Sequence, residues 1–358
     1  MGVSKLQLSF AECCGLCYNI RQMNELPKED LERLMARAYA VKTATWGRRV
    51  ALRGLVEFSN ICTKDCLYCG IRRSNANVTR YRMTEDEIVE AATWAAENRY
   101  GSVVLQSGEI SSEANTAFVE SVLKRIHGLY GDSLGITLSL GEQTSETYER
   151  WKNAGAHRYL LRIETSNREL YAKIHPKGYS WESRLDCLRT LKNLGYIVGT
   201  GVMIGLPGQT EADLENDIGF FRDEDVDMIG MGPYLAHPDT PLAAEAPIQA
   251  KGRLLALTLR MIAETRLAIP DANIASTTAL QAIDPEGREK GLLAGANVVM
   301  PNVTPVKYRN SYLLYPGKPC TGEESELCRS CLERRVKSVG EEIAWGERAD
   351  PLHSLPSR

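Results

Sequence analysis

No run of roughly eighteen consecutive apolar residues occurs in the chain, which excludes a helix spanning a bilayer. An excess of one charge is missing too. Lys plus Arg at 43 against Asp plus Glu at 46 leaves a net charge of −3, so nothing here is built to coat nucleic acid or an anionic membrane. Met1 to Phe10 lack the basic, then apolar, then small pattern of a secretory leader. The Gly2 start lacks the hydroxyl that myristoylation needs, because Leu6 stands in its place. Short-period repeats and low-complexity tracts are absent. These absences make a cytoplasmic globular protein the expectation. What is present agrees: 43% hydrophobic and 25% charged residues over 358 positions suffice for two domains or for one large barrel.

Ten cysteines in such a chain need an explanation, since disulfides do not persist in the cytosol. They are grouped. Cys13, Cys14 and Cys17 form one set, Cys62, Cys66 and Cys69 a second, and Cys320, Cys328 and Cys331 a third. Cys187 alone sits in a helical pattern and reads as a small buried hydrophobe. Close spacing of thiols reads as metal or iron–sulfur ligation.

From about residue 50 the chain alternates between short apolar runs and amphipathic helical stretches. The runs are Leu52–Phe58, Ser102–Gln106, Gly135–Leu140, Arg158–Ile163, Ile197–Ile204, Val226–Gly232, Asn273–Thr278 and Ala296–Pro301. Helices are predicted at Thr84–Arg99, Glu182–Leu194, Thr210–Phe221, Ala250–Leu267 and Ala279–Leu293, the first opening with a Thr84–Glu87 capping box. Eight strands alternating with helices predict a parallel α/β sheet closed as a complete (βα)8 barrel over 51–302, with an open doubly wound sheet as the alternative. Residues 1–50 read as a helical cap, and 303–358 as an irregular extension that turns helical from Leu332. Gly199-Thr-Gly201-Val-Met-Ile-Gly205 imitates a dinucleotide fingerprint. Its glycines fall within the fifth strand rather than in a strand-to-helix turn, so a nicotinamide site is not expected.

Asn60-Ile-Cys62-Thr-Lys-Asp-Cys66-Leu-Tyr68-Cys69-Gly70 follows directly on the first strand, at the end of a barrel where such enzymes place their chemistry. Three thiolates can hold three irons of a 4Fe–4S cubane and leave the fourth iron open to a ligand. Structural zinc wants four closed ligands, and no fourth Cys or His lies nearby. The Cys62, Cys66, Cys69 spacing, with the aromatic Tyr68 before the last cysteine, resembles the signature of the radical S-adenosylmethionine (SAM) superfamily. That resemblance implies a 4Fe–4S cluster, SAM as second cofactor, and reductive cleavage to a 5′-deoxyadenosyl radical. It also implies that Tyr68, Ser107, Gly108, Glu109, Ser139, Glu164 and Arg184 bind SAM. Ser107-Gly108-Glu109 is similar to the superfamily's Gly-Gly-Glu segment, with Ser for the first Gly.

Longer segments narrow the likeness. Val56–Asn60, Leu67–Arg73, Leu105–Glu109, Leu138–Glu142, His157–Arg162, Gly230–Pro233, His237–Leu242, Asn297–Asn302 and Leu314–Gly317 together resemble the HydE-type maturases of FeFe-hydrogenase. Methylornithine synthase and biotin synthase relatives fit these segments less well. They leave a mutase or sulfur-chemistry enzyme acting on an amino acid as the alternative. The resemblance implies an organometallic iron–cysteine–carbonyl–cyanide substrate and a role in building the di-iron subcluster. It implies as partners a radical SAM sister maturase, a GTPase scaffold, and a ferredoxin or flavodoxin reductant. Arg162 is the expected catalytic contact to substrate, deeper than Glu164. Gln106, Thr137, Met228, Thr277, Thr278, Met300, Tyr312 and Tyr315 are expected around the cavity. Cys320, Cys328 and Cys331 resemble an auxiliary 2Fe–2S or 4Fe–4S site near the surface, with nothing to imply that it touches substrate; a zinc knuckle and an empty thiol group are the alternatives. For Cys13, Cys14 and Cys17 the expectation is free or adventitiously metallated thiols.

Overall fold

The computed structural model describes residues 26–245 and 249–351. Cys13, Cys14 and Cys17 therefore lie outside the described residues. The described residues form ten strands: β1 (Arg49–Ser59), β2 (Ser102–Ser107), β3 (Gly135–Ser139), β4 (Arg158–Leu160), β5 (Ile197–Thr200), β6 (Met203–Ile204), β7 (Met228–Pro233), β8 (Asn273–Ser276), β9 (Val298–Val299) and β10 (Glu342–Ile343). All their pairings are parallel. The order β1-β2-β3-β4-β5-β7-β8-β9 closes on itself through Ala51↔Val298 and Leu52↔Val299, which makes the expected eight-stranded barrel. β6 extends the fifth strand beside the end of β7, and β10 pairs outside the start of β1. Such strands are covered on both faces, hence their near-continuous apolar runs, as in Val103, Val104 and Leu105.

The helices form where caps and periodicity put them. Glu85–Glu97 is closed by the Thr84–Glu87 capping box, and Glu211–Asp223 by a matching box from Thr210 and Asp213. Two expectations need correction. The helix over 279–293 is broken into Thr278–Ile283 and Gly287–Leu293, because Pro285 cannot continue a helix interior. In the extension the helix begins at Ser325, not Leu332, and so carries both Cys328 and Cys331.

The helix Lys28–Trp46 packs on Lys251–Ala268 and Gly287–Leu293, within the outer helical layer rather than as an end cap. Its Lys42 pairs with Glu341, both side chains fully buried, and Tyr39 donates to the same carboxylate. What covers the N-terminal end of the barrel is the segment after β10. Asp350 pairs with the fully buried Arg158 at the start of β4, and Asn273 at the start of β8 donates to the Ala349 carbonyl at 2.8 Å. A Cβ on Gly101 would lie 1.6 Å from the Glu347 carbonyl oxygen, so only glycine lets this segment press so closely.

Candidate active site at the barrel mouth

The loop leaving β1 carries Cys62, Cys66 and Cys69. Its course is fixed by backbone and side-chain bonds: Thr63 N–H donates to Glu109 O at 2.8 Å, Cys69 N–H to Cys66 O, and Gly70 N–H to Leu314 O. Arg80 is spent inside the loop, donating to the carbonyls of Asn60, Ile71 and Arg72. Gly108 is required by close approach, since a Cβ there would lie 2.4 Å from Ile61 O and 2.7 Å from Cys62 Cβ. The loop after β2 thus lies directly on the cysteine loop.

Burial pushes all three thiols up, Cys66 to about 12, with Cys66 and Cys62 each raising Cys69 further. Backbone N–H groups of Lys64 and Glu109 point at Cys62 Sγ, at 3.4 and 3.3 Å. Three desolvated thiols in one loop, opposed by backbone donors, are a ligand set that gives up its protons when iron supplies the positive charge. The donor chemistry fits a 4Fe–4S cubane with one iron left over.

Two charge groups flank the thiols. On one side Lys64 Nζ stands 3.1 Å from Glu109 and 3.2 Å from Glu142, and Arg184 Nε donates to Glu142 at 2.5 Å. Burial holds the Glu109 carboxyl above its usual range against the pull of Arg184 and Lys64. At Glu142 burial pushes the same way, but Arg184 and Lys64 outweigh it and bring it below. Gly141, at φ +76°, makes room for Glu109, because a Cβ there would lie 2.1 Å from its carboxylate. Two cations and two carboxylates form a charge pattern that a zwitterion can enter by exchanging partners. Sequence reasoning placed Glu109 and Arg184 here and missed Lys64 and Glu142. The signal for Lys64 was a cation between two ligand cysteines.

On the other side, β4 ends at Leu160, so strand alternation does not reach Arg162 and Glu164. Glu164 sits at φ +65°, in the left-handed region, held by N–H donation to Gly201 O and by acceptance from Met203 N–H. The two side chains expected to divide, Glu164 toward cofactor and Arg162 deeper toward substrate, meet each other: Arg162 Nε donates to Glu164 Oε2 at 3.1 Å. Just downstream, Ser166 gives its N–H and hydroxyl to Asp217 Oδ1, at 2.6 and 2.7 Å.

Beyond the thiols opens a cavity of about 1210 Å³, mouth included. Tyr68, Cys69, Arg162, Glu164, Gln106, Thr277, Thr278, Met300 and Tyr315 all line it. Tyr312 is buried beside it and meets Gln106 Nε2 through its hydroxyl at 3.2 Å; Tyr315 meets the Thr278 hydroxyl at 2.7 Å. Thr137 and Met228 do not reach this cavity. They line a deeper chamber of about 360 Å³ toward the other end of the barrel, with Met300 on the wall between the two. The reason is position in the strand: Thr137 and Met228 stand before the C-terminal ends of β3 and β7. That chamber also holds Arg53, whose Nη1 lies 2.8 Å from Met228 Sδ. Ser107 caps its own strand end by donating to Gly108 O, and Ser139 is half-buried as the last residue of β3.

Sequence reasoning also missed the cavity's second ion pair. Glu57 of β1, 1% exposed, accepts from Lys318 Nζ at 2.5 and 2.7 Å and from Asn302 Nδ2 at 3.0 Å. Residues 314–320 thereby roof the cavity. Cys320 is part of that roof, so the third cysteine group borders the cavity, which nothing in the sequence implied. Tyr68 is backed by His175, whose Nε2 lies 3.5 Å from its hydroxyl and whose ring stacks on Tyr171 at 3.9 Å.

Residues 56–221 match the family model of the radical SAM superfamily. The chain is 47% identical over 319 residues to the [FeFe] hydrogenase maturase subunit HydE of Thermotoga maritima, covering 88% of this chain and 89% of that protein. It is 30% identical to 3-methylornithine synthase of Methanosarcina acetivorans, covering 76% and 75%. Among solved structures it resembles methylornithine synthase (PylB), with a TM-score of 0.74 and 26% identity over 90% of this chain and 91% of that one. The maturase HydG from Carboxydothermus hydrogenoformans shares the fold, with a TM-score of 0.74 at 20% identity over 89% and 73%.

Proposed function

This chain belongs to the HydE-type maturases of the radical SAM superfamily, and from that membership we propose how it acts. It is a radical SAM enzyme of hydrogenase maturation. Its adenosyl radical is turned on a small anionic, organometallic iron–cysteine–carbonyl–cyanide substrate during assembly of the di-iron subcluster of FeFe-hydrogenase. The observation that carries the reading is the placing of Cys69 and the Arg162–Glu164 pair on the wall of one cavity.

Cys62, Cys66 and Cys69 would hold the 4Fe–4S cluster, which when bound supplies the electron that splits SAM into methionine and a 5′-deoxyadenosyl radical. Lys64, Glu109, Glu142 and Arg184 receive the methionine end. Its ammonium takes a carboxylate from Lys64 or Arg184, and its carboxylate takes the cation released. Charge is conserved in that exchange, so the buried ions are never left bare. Arg162 gives the cavity a guanidinium for an anionic substrate, while Val202 O holds its other arm at 2.7 Å. Thr277, Thr278 and Gln106 add neutral donors to the wall. The roof over residues 314–320 excludes water from a radical that would abstract from anything nearby. The sister maturase would deliver the substrate, a GTPase scaffold would receive the product, and ferredoxin or flavodoxin would supply the electron.

The test is anaerobic reconstitution with iron and sulfide, reduction, and addition of SAM. The expected product is 5′-deoxyadenosine, and the expected second result is activation of apo-hydrogenase beside the partner maturases. Deoxyadenosine without activation would overturn the maturase reading. The likeness to 3-methylornithine synthase favours one second reading, a mutase on an amino acid. Rearranged amino acid in place of hydrogenase activation would establish it.

A further inference from the structure

Sequence reasoning left Tyr171 out of the site. It lies on the helix Arg168–Ile174, just after the turn at Glu164, and is 1% exposed. Its buried hydroxyl has no hydrogen-bond partner among the described residues. Buried hydroxyls are rarely left so, because each gives up the bonds it had in water. What surrounds this one points to a ligand. Burial pushes it above its ordinary value, so it keeps its proton. Of the charges acting on it, the Arg184 guanidinium pulls it back down most, while Glu142, Cys66 and Glu164 push it up. Those four groups come from four segments: the helix Trp181–Asn193, the loop after β3, the cysteine loop and the turn after β4. The hydroxyl stands where both flanking charge groups meet the thiols.

The ring that carries it is clamped. His175 stacks on Tyr171 with its plane 24° from parallel. Burial holds the imidazole down at about 4, so it is neutral. Its Nδ1 lies 2.9 Å from the Tyr171 carbonyl oxygen, which can only accept, so Nδ1 carries the proton and Nε2 a lone pair. Nε2 faces the Tyr68 hydroxyl, and the Tyr68 ring meets the imidazole edge-on at 5.4 Å. With both nitrogens engaged, His175 sets two tyrosines and offers nothing to the Tyr171 hydroxyl. At its other end the helix is capped by Asn167, which accepts from the Glu169 and Leu170 N–H groups and donates to Asp213 at 2.6 Å. The hydroxyl is thus held in place without a protein partner.

We propose that the Tyr171 hydroxyl is a further SAM-binding donor, given to the carboxylate of the methionine end beside Arg184. The inference rests on the reading of Lys64, Glu109, Glu142 and Arg184 as the place of that end, and deepens it. The carboxylate is chosen by chemistry. A phenol that keeps its proton has one donor to give, and a guanidinium has only donors; the two together suit an oxyanion rather than an ammonium. Arg184 already spends Nε on Glu142 and Nη1 on the Arg162 carbonyl, which leaves Nη2 to share the anion with the tyrosine. His175 is then a positioning residue, and the proposal does not depend on which substrate the cavity takes.

The test is equilibrium binding to the anaerobically reconstituted full chain, with SAM and with decarboxylated SAM, which keeps the amine and lacks the carboxylate. Tyr171→Phe keeps the ring and its stack, and should bind SAM about tenfold more weakly than the parent. Decarboxylated SAM should bind the parent and Tyr171→Phe within about twofold of each other. Deoxyadenosine formation at saturating SAM should stay near the parent rate, so that KM moves and kcat does not. Without SAM the variant should show a thermal midpoint no lower than the parent's, since it discards an unpaired hydroxyl and not a bond. Tyr130→Phe, at the half-buried end of the helix Glu113–Tyr130, should bind both probes as the parent does. Equal SAM affinity in Tyr171→Phe, the same loss with decarboxylated SAM, or a lower midpoint without ligand would overturn the inference. A parent protein that binds no SAM would instead overturn the reading beneath it.

Discussion

Arg162 and Glu164 are two residues apart on a chain that has already left its strand, and they pair with each other at 3.1 Å across the left-handed turn at Glu164. The carboxylate is 7% exposed, so it depends on that guanidinium or on a ligand for compensation. Arg162→Leu should therefore weaken SAM binding as well as substrate handling, and Glu164→Gln should affect both. Titration of SAM into the two single variants and the double variant should show a coupling of about 0.5–3 kcal/mol. Additive effects would mean the pair is not maintained in the loaded enzyme.

Cys66→Ala should abolish 5′-deoxyadenosine formation, because a cubane that loses one thiolate no longer keeps the same open iron. Cys331→Ala should leave it largely intact, since that thiol belongs to a separate group. Product analysis after reduction with SAM present measures both, with iron content as the control.

Gly108→Ala should impair cluster assembly without unfolding the barrel. The added methyl meets Ile61 O at 2.4 Å, so the cysteine loop must shift. Iron retained after reconstitution is expected to drop severalfold while the far-UV spectrum stays unchanged. Full iron retention would show that the loop can move freely away from Gly108.

Asp217 gives a pH signature. Burial raises its carboxyl to about 7, against the two Ser166 bonds that favour the charged form. The folded state thus holds a proton that the unfolded state releases near pH 4, and stability falls as pH rises from about 4 to 7. Asp217→Asn keeps an acceptor for Ser166 and removes the titration. Urea midpoints of that variant should gain on the parent protein across this window and run parallel above it; a constant offset would contradict the assignment.

Asp350→Ala should cost about 3–5 kcal/mol, because it strands the fully buried Arg158 without its carboxylate. Arg158 and His157 hold the Asp350 carboxyl well below the usual range despite its burial. The same contribution is therefore lost from the parent protein as pH falls below the ordinary carboxylate range. Denaturant unfolding at pH 7 and pH 3 checks both statements.

The barrel was legible because its strands are short apolar runs and its helices carry local caps such as Thr84 with Glu87. The cysteine loop was legible for the same reason: its ligands lie within eight residues. What escaped was long-range. Glu57 and Lys318 are 261 residues apart, and each alone looks like a surface charge. Lys64 and Glu142 meet only after three strands have been laid side by side. Thr137 and Met228 were placed on the right strands and in the wrong chamber, because sequence gives a strand's direction more readily than a side chain's height within it.

Asp350 reaches back 192 residues to Arg158. A ribosome has therefore finished all eight barrel strands before the carboxylate that neutralises Arg158 has been made. At about 5–20 residues per second the finished barrel waits roughly 3–10 seconds with an uncompensated guanidinium at its base. Contacts of such sequence separation are also the slow ones to form. The seal comes late in synthesis, so a chain released before residue 350 would carry every thiol of the barrel mouth and still lack the carboxylate that closes its base.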